Sequence, residues 1–221
     1  QGTPAGSTLI PPLSTDSSAL VRVDARLATV SSHRVPDPEL LAYLRNISDQ
    51  PAGAVRNAQV ALRLNRTNEV PFWTSRIVAW DPSPGAFFNA GMLLHQANLI
   101  RPALSNLATA ALGAPTYADY SYALALALAE AGNATQALVW LEETVRRDAD
   151  FGRGWYNLGL SYAGAERLPE AIQALRRAEA LMPDSPDPAY ARASIHLRLK
   201  DTASAQEAAR LALTRDPRHP P

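Results

Sequence analysis

The chain has 221 residues, with Lys and Arg together equal to Asp and Glu at 21 each, so its formal net charge is zero and nothing in it argues for a nucleic-acid or polyanion partner. Hydrophobic residues at 47% and charged residues at 19% are the composition of a folded protein, and no apolar run approaches the roughly 18 residues that a membrane span needs. Cys is absent, which excludes disulfides, thiolate metal sites, a cysteine nucleophile and c-type haem attachment.

Residues 1–36 read as an N-terminal arm. Gln1 to Ser18 is rich in Pro, Ser, Thr and Gly and is expected to be extended or disordered, with a small apolar hook at Ile10-Pro11-Pro12-Leu13. Ala19 to Val30 carries two patterns. Val21, Val23, Ala25 and Leu27 alternate with Arg22, Asp24 and Arg26 as in a strand. Leu20, Val23, Leu27 and Val30 also fit one face of a helix capped by Ser17 or Ser18. A lone strand would need a partner outside the chain, because its backbone N–H and C=O groups must be paired. The first residue is Gln1 rather than Met, which fits a processed mature protein or a fragment.

Residues 37–50 read as a capping helix. Asp37 is the N-cap, Pro38 sits at N1, and Leu40, Leu41 and Leu44 form its apolar face. Residues 51–83 then fit a degenerate helix pair, with Asn57, Ala58, Ala61, Val70, Thr74 and Ile77 in place. That unit is one residue short and has Pro71 inside its expected second helix.

From residue 84 onward the chain repeats at intervals of about 34 residues. The fullest copy is 152–185. Trp155, Leu158, Gly159 and Tyr162 fall at i, i+3, i+4 and i+7 on one helical face, and Ala171, Leu175 and Ala178 mark a second helix that Pro183 ends. Pro169 lies where a helix tolerates a missing N–H. The unit 84–117 carries Ala90, Gly91, Leu94, Ala103, Leu107 and Ala110. The unit 118–151 carries Leu124, Ala125, Leu128, Ala137, Leu141 and Thr144. The unit 186–221, with its tail, carries Ala193, Ala205, Ala209, Ala212 and Pro217. One such hairpin cannot bury its apolar face alone, so copies must stack.

The pattern Trp-x2-Leu-Gly-x2-Tyr, followed by Ala171 and a closing Pro183, resembles the tetratricopeptide (TPR) repeat. The resemblance implies an all-α, right-handed superhelical solenoid of antiparallel helix pairs, with the first helices lining a concave groove that takes up peptides or extended protein segments. In that frame the fifth position of each repeat reads Phe88, Tyr122, Tyr156 and Tyr190, an aromatic ladder suited to anchoring a partner. Ordinary packing between neighbouring helices is the competing account of the same ladder. Other groove positions hold Met92, His95, Leu126, Arg153, Leu160 and Arg198. The lysines that clamp a C-terminal carboxylate in the chaperone-binding branch of the family are missing, although Asn89 and Asn157 agree in type.

Enzyme signatures are absent. Gly152-x-Gly154 followed by Gly159 lies inside the repeat rather than after a strand, and neither H-E-x-x-H nor G-x-S-x-G occurs. His33, His95, His196 and His219 lack metal-ligand spacing, and no cofactor is expected. Glu142, Glu143, Arg146 and Arg147 read as i,i+4 pairs on a solvated face. Three N-x-[ST] sequons at Asn46, Asn65 and Asn133 are candidate glycosylation positions, the last two at hairpin turns.

The function expected is a non-catalytic protein-interaction scaffold. The rival is a structural subunit of a homomeric complex or extracellular filament, joined through the N-terminal arm and the terminal repeat, because head-to-tail contacts propagate. The Ala/Arg-rich cadence is similar to TPR segments that accompany bacterial multihaem cytochromes and envelope-polymer enzymes. That likeness implies a bacterial, extracytoplasmic setting, periplasmic or secreted.

Overall fold

The computed structural model describes residues 38–216, and the N-terminal arm, with both readings of Ala19 to Val30, lies outside them. Among the described residues there are eleven α-helices and no strand. They are α1 (Pro38–Asn46), α2 (Pro51–Arg63), α3 (Val70–Trp80), α4 (Pro84–Gln96), α5 (Ile100–Gly113), α6 (Ala118–Glu130), α7 (Ala134–Arg147), α8 (Gly152–Gly164), α9 (Leu168–Leu181), α10 (Asp187–Arg198) and α11 (Thr202–Arg215). A short 3-10 turn, Thr67–Glu69, leads into α3. From α2 onward consecutive helices pair into hairpins, and each second helix packs on the first helix of the next hairpin. This is an all-α TPR solenoid. Pro71 does not interrupt a helix as expected, because it falls in the first turn of α3, where its missing N–H costs nothing.

Small residues decide how the two helices of a hairpin meet. A Cβ on Gly159 would lie 2.7 Å from Leu175 Cγ and 3.3 Å from the Ala171 carbonyl oxygen, so α8 can touch α9 only through a residue without a side chain. Gly91 meets Leu107 in the same way, at 2.8 Å. Facing them, Ala103, Ala137, Ala171 and Ala205 are all buried at one register position of the second helices. Leu107, Leu141 and Leu175 fill the gap one turn further on, at no more than 2% exposure. The buried Thr144 stands where neighbouring repeats have Ala110 and Ala178. It is accommodated because its hydroxyl reaches the Trp140 carbonyl at 2.7 Å and lies 3.1 Å from the Ser121 hydroxyl, which itself donates to the Ala118 carbonyl.

The first hairpin is closed from its N-terminal side by α1, whose Leu40 and Leu44 pack on Val60 of α2 together with Tyr43, Ile47 and Leu64. Asn57 Nδ2 donates to the Leu44 and Gly53 carbonyls and ties α1 to α2.

Every first helix ends in the same way. Asn65, Asn98, Gly132, Glu166 and Lys200 hold positive φ between 57° and 80°, spaced at the repeat. The next residue's N–H closes a six-to-one bond in each case: Arg66 to Ala61, Leu99 to Leu94, Asn133 to Leu128, Arg167 to Tyr162 and Asp201 to His196. These are Schellman caps, which satisfy the last carbonyls and turn the chain into the second helix. Glycine or asparagine suits the left-handed residue; Glu166 and Lys200 do not, since a Cβ there costs about 1–2 kcal/mol. The exposed Lys200 is therefore a strained cap. Lys200→Gly is expected to stabilise the fold by about 0.5–1 kcal/mol, the strain relieved less the extra chain entropy of glycine. Urea denaturation would show a higher midpoint at unchanged slope, and an unchanged midpoint would contradict the account.

Candidate functional site

The first helices α4, α6, α8 and α10 stand in one row because each occupies the same place in its hairpin. Their fifth register positions therefore align Phe88, Tyr122, Tyr156 and Tyr190. The rings are unequally available. Phe88 is half-buried and stacks on Tyr120 with centroids 4.6 Å apart, and Tyr120 stacks in turn on Tyr117 at 5.3 Å. Tyr122 is half-buried against Phe151 at 5.0 Å. Tyr156 packs on the core built around Ala171, Leu175 and Ile195, whereas Tyr190 is 38% exposed. The ladder thus runs from packing at Phe88 to open surface at Tyr190.

Struts across the repeat junctions brace the row. Asn157 Nδ2 donates to Tyr122 Oη at 2.8 Å. His95 Nε2 lies 2.6 Å from Glu130 Oε2. Arg198 Nη2 donates to both oxygens of Glu166 at 2.8 Å. The Arg153 guanidinium lies over the Tyr122 and Phe151 rings, 5.9 and 5.7 Å from their centroids. Burial pushes the Tyr122 phenol above its ordinary range, with Arg153 and the Asn157 hydrogen bond acting the other way. Burial also raises Tyr156, helped by the Asp187 carboxylate. Both phenols stay neutral at physiological pH and can donate a hydrogen bond to a ligand.

Of the remaining expected groove residues, Met92 and Leu126 are half-buried and Leu160 is 40% exposed. His95 and Arg198 are engaged by carboxylates of the neighbouring first-helix ends, so they brace the row as well as line it. Asn65 occupies a left-handed cap and Asn133 the N-cap of α7; both are exposed, as is Asn46 at the end of α1. Among the described residues no group of three or more His, Asp or Glu side chains converges as a metal site would require.

Two features differ from the sequence reading or lie outside it. Arg147 does not lie on a solvated face. Its side chain is 6% exposed, and it bonds Glu143 at 2.7 Å while its Nη1 donates to the Ala111 carbonyl of α5 at 3.0 Å. Arg215 repeats this two repeats later, reaching the Glu179, Met182 and Ser185 carbonyls from α11. A shallow groove of about 470 Å³ also runs between the second helices α5 and α7, lined by Leu104, Ala108, Val139 and Trp140. Beside it Leu112 is 69% and Val139 58% exposed. Comparing registers would have found it, since position 29 reads Leu112 here but Arg146 and Ala180 in later repeats.

Stacked helical hairpins, braced across the junctions from residue 84 onward and presenting a row of first helices, define a helical-repeat protein. Residues 122–186 and 156–220 match the sequence model of the family described as tetratricopeptide repeat. The chain belongs to the tetratricopeptide-repeat family. No curated protein matches the chain. Among solved structures it is similar to MamA 41-end from Desulfovibrio magneticus RS-1, with 22% identity, a TM-score of 0.65, and 78% of this chain and 98% of that one covered. It is similar to YrrB, described as a TPR protein with an unusual peptide-binding site, with 16% identity, a TM-score of 0.63, and 81% and 93% covered. It is also similar to the C-terminal part of a TPR repeat-containing protein from Cytophaga hutchinsonii, with 15% identity, a TM-score of 0.68, and 88% and 78% covered. At these identities the likeness is one of fold. No helix among the described residues is long and apolar enough to cross a membrane.

One polar contact in the repeat stack has a measurable pH signature. The Tyr162 hydroxyl donates to Glu142 Oε1 at 2.8 Å, and burial, followed by that bond, pushes its pKa up to about 12. A phenol that ionises later in the folded than in the unfolded chain contributes stability that is complete below about pH 10 and is lost as pH rises toward 12. Alkaline difference absorbance should show one tyrosine titrating near 12, and Glu142→Gln should move it down. No late-titrating tyrosine, or one indifferent to Glu142, would contradict the assignment.

Proposed function

We propose that the protein is a non-catalytic scaffold that takes up an extended peptide or a segment of a partner subunit along the first-helix row, on Tyr156, Leu160 and Tyr190 with Tyr122 and Arg153 beside them. The observation that carries this reading is the pairing of an exposed Leu160 with an exposed Tyr190 on adjacent first helices, at 40% and 38% exposure, next to the half-buried Tyr122 and Tyr156. Phe88 and Met92 serve as the packed end of the row. The fold likeness to YrrB, a TPR protein with a peptide-binding site, supports it. Peptides selected from a displayed random library against the full chain should lose about ten-fold in affinity on Tyr190→Ala or Leu160→Ala, as an interfacial anchor does. Both side chains are exposed, so thermal melting should be unchanged. Affinities indifferent to both substitutions would remove the row from consideration.

A second reading, assembly of copies through the terminal repeat, is favoured by one residue. Leu213 is 47% exposed at a register position that holds buried Ala111, Val145 and Glu179 in the preceding repeats. Light scattering should then give a multiple of the 23.8 kDa chain mass that Leu213→Glu returns to the single-chain value. A monomer before substitution would dispose of this reading.

A further inference from the structure

The second register position of the first helices reads Asp119, Arg153 and Asp187 in three successive repeats, and all three side chains are exposed. The signs alternate along the row. Asp119 and Asp187 each lie in the first turn of a helix, where the partial positive charge of the N-terminus favours an anion. Those two residues alone would be explained by helix stability. Arg153 is not, because it places a cation in the first turn of α8, which has no acidic residue in that turn, against the same partial charge.

Nor is Arg153 placed there by an internal carboxylate. The other groove arginine, Arg198, is held by Glu166 and Arg177 by Asp150, but among the described residues Arg153 forms no ion pair with a carboxylate. Its contacts are the faces of Tyr122 and Phe151, over which the guanidinium itself lies, and the residue is exposed. Two of the charges also sit beside the aromatic rung of the preceding repeat: Arg153 acts on the Tyr122 phenol and Asp187 on the Tyr156 phenol. Charge and ring therefore belong to one surface.

We infer that the segment bound along the first-helix row is an extended peptide of alternating charge, with a carboxylate on Arg153 and a Lys or Arg on each of Asp119 and Asp187. The inference rests on the reading of that row as the binding surface. Side chains of successive first-helix surfaces touch, as Asn157 does Tyr122 and Arg198 does Glu166, so these helices lie on the order of 10 Å apart. An extended chain advances about 3.3 Å per residue, so successive charges fall about three residues apart. The pattern is basic-x-x-acidic-x-x-basic, the same in either chain direction, with apolar residues between the charges to meet Tyr156 and Leu160. The fork of the guanidinium matches two carboxylate oxygens at once, which an amide or a hydroxyl does not offer.

The test uses the full chain and a displayed library of random dodecapeptides. Peptides enriched on the native protein should carry the basic-x-x-acidic-x-x-basic pattern. Replacing the central acid of a selected peptide by its amide should weaken binding about ten-fold. Arg153→Glu relieves the helix end rather than straining it, so the variant should fold with unchanged circular dichroism, and selection on it should enrich a central Lys or Arg. Enriched peptides that depend on Tyr190 and Leu160 but carry no such pattern, or a pattern unmoved by Arg153→Glu, overturn this inference and leave the groove reading standing. Failure to enrich any peptide that depends on Tyr190 and Leu160 overturns both.

Discussion

The close crossing of the two helices in each hairpin governs the rest of the structure. At Gly159 and Gly91 the first helix presents bare backbone to a leucine of the second, and alanines at one fixed register keep the approach short through all the full repeats. Close packing is intolerant of an added methylene, because surrounding atoms already sit near van der Waals contact. The crossing therefore sets the orientation of each first helix relative to its second. Repetition of that orientation brings Tyr122, Tyr156 and Tyr190 into one row. The surface is a by-product of a packing rule applied without interruption.

The turn between the helices is the other fixed element. Its left-handed residue satisfies the terminal carbonyls of the first helix and re-aims the chain within a few residues, whatever side chain happens to be there. Asn65, Asn98 and Gly132 suit the conformation; Glu166 and Lys200 are held in it by the hairpin that follows. Glu166 has a use in return, since its carboxylate receives Arg198 from the next repeat.

Much of this architecture was legible in the residues. Ala, Gly and Leu recur at fixed intervals because burial imposes the same volume at every crossing, so Gly91, Leu107, Gly159 and Leu175 announce the hairpins directly. The aromatic ladder was legible as a row. Its graded exposure was not, because whether Phe88 is covered depends on Tyr120 and Tyr117, whose stacking follows from where two helices and a loop meet. The solvated face expected for the α7 charge quartet fails at Arg147 for a related reason. Helical spacing pairs Glu143 with Arg147, but burial of Arg147 is set by the C-terminus of α5, distant in sequence. The α5–α7 groove escaped notice because Leu112, Val139 and Trp140 match no repeat position; departures from a consensus are visible only once registers are laid side by side.

The buried guanidinium of Arg147 has a consequence for how the array is held together. It fastens α7 to the last carbonyls of α5, and Arg215 fastens α11 to the end of α9 in the same manner. Between these two fastenings, the register position equivalent to Arg147 is Leu181, and the junction of 118–151 with 152–185 is held by the apolar cluster of Leu141, Val145, Leu158 and Ala174, by the Tyr162–Glu142 and Asn157–Tyr122 hydrogen bonds and by the exposed pair of Arg177 with Asp150. In a solenoid, stability is a sum of unit terms and nearest-neighbour interface terms. Here the interface terms differ in kind: a guanidinium on helix-end carbonyls at two junctions, and apolar packing with side-chain hydrogen bonds at the one between 118–151 and 152–185. Of these three, the junction without such a guanidinium is the one that Arg153 spans, laid over the Tyr122 ring of the preceding repeat.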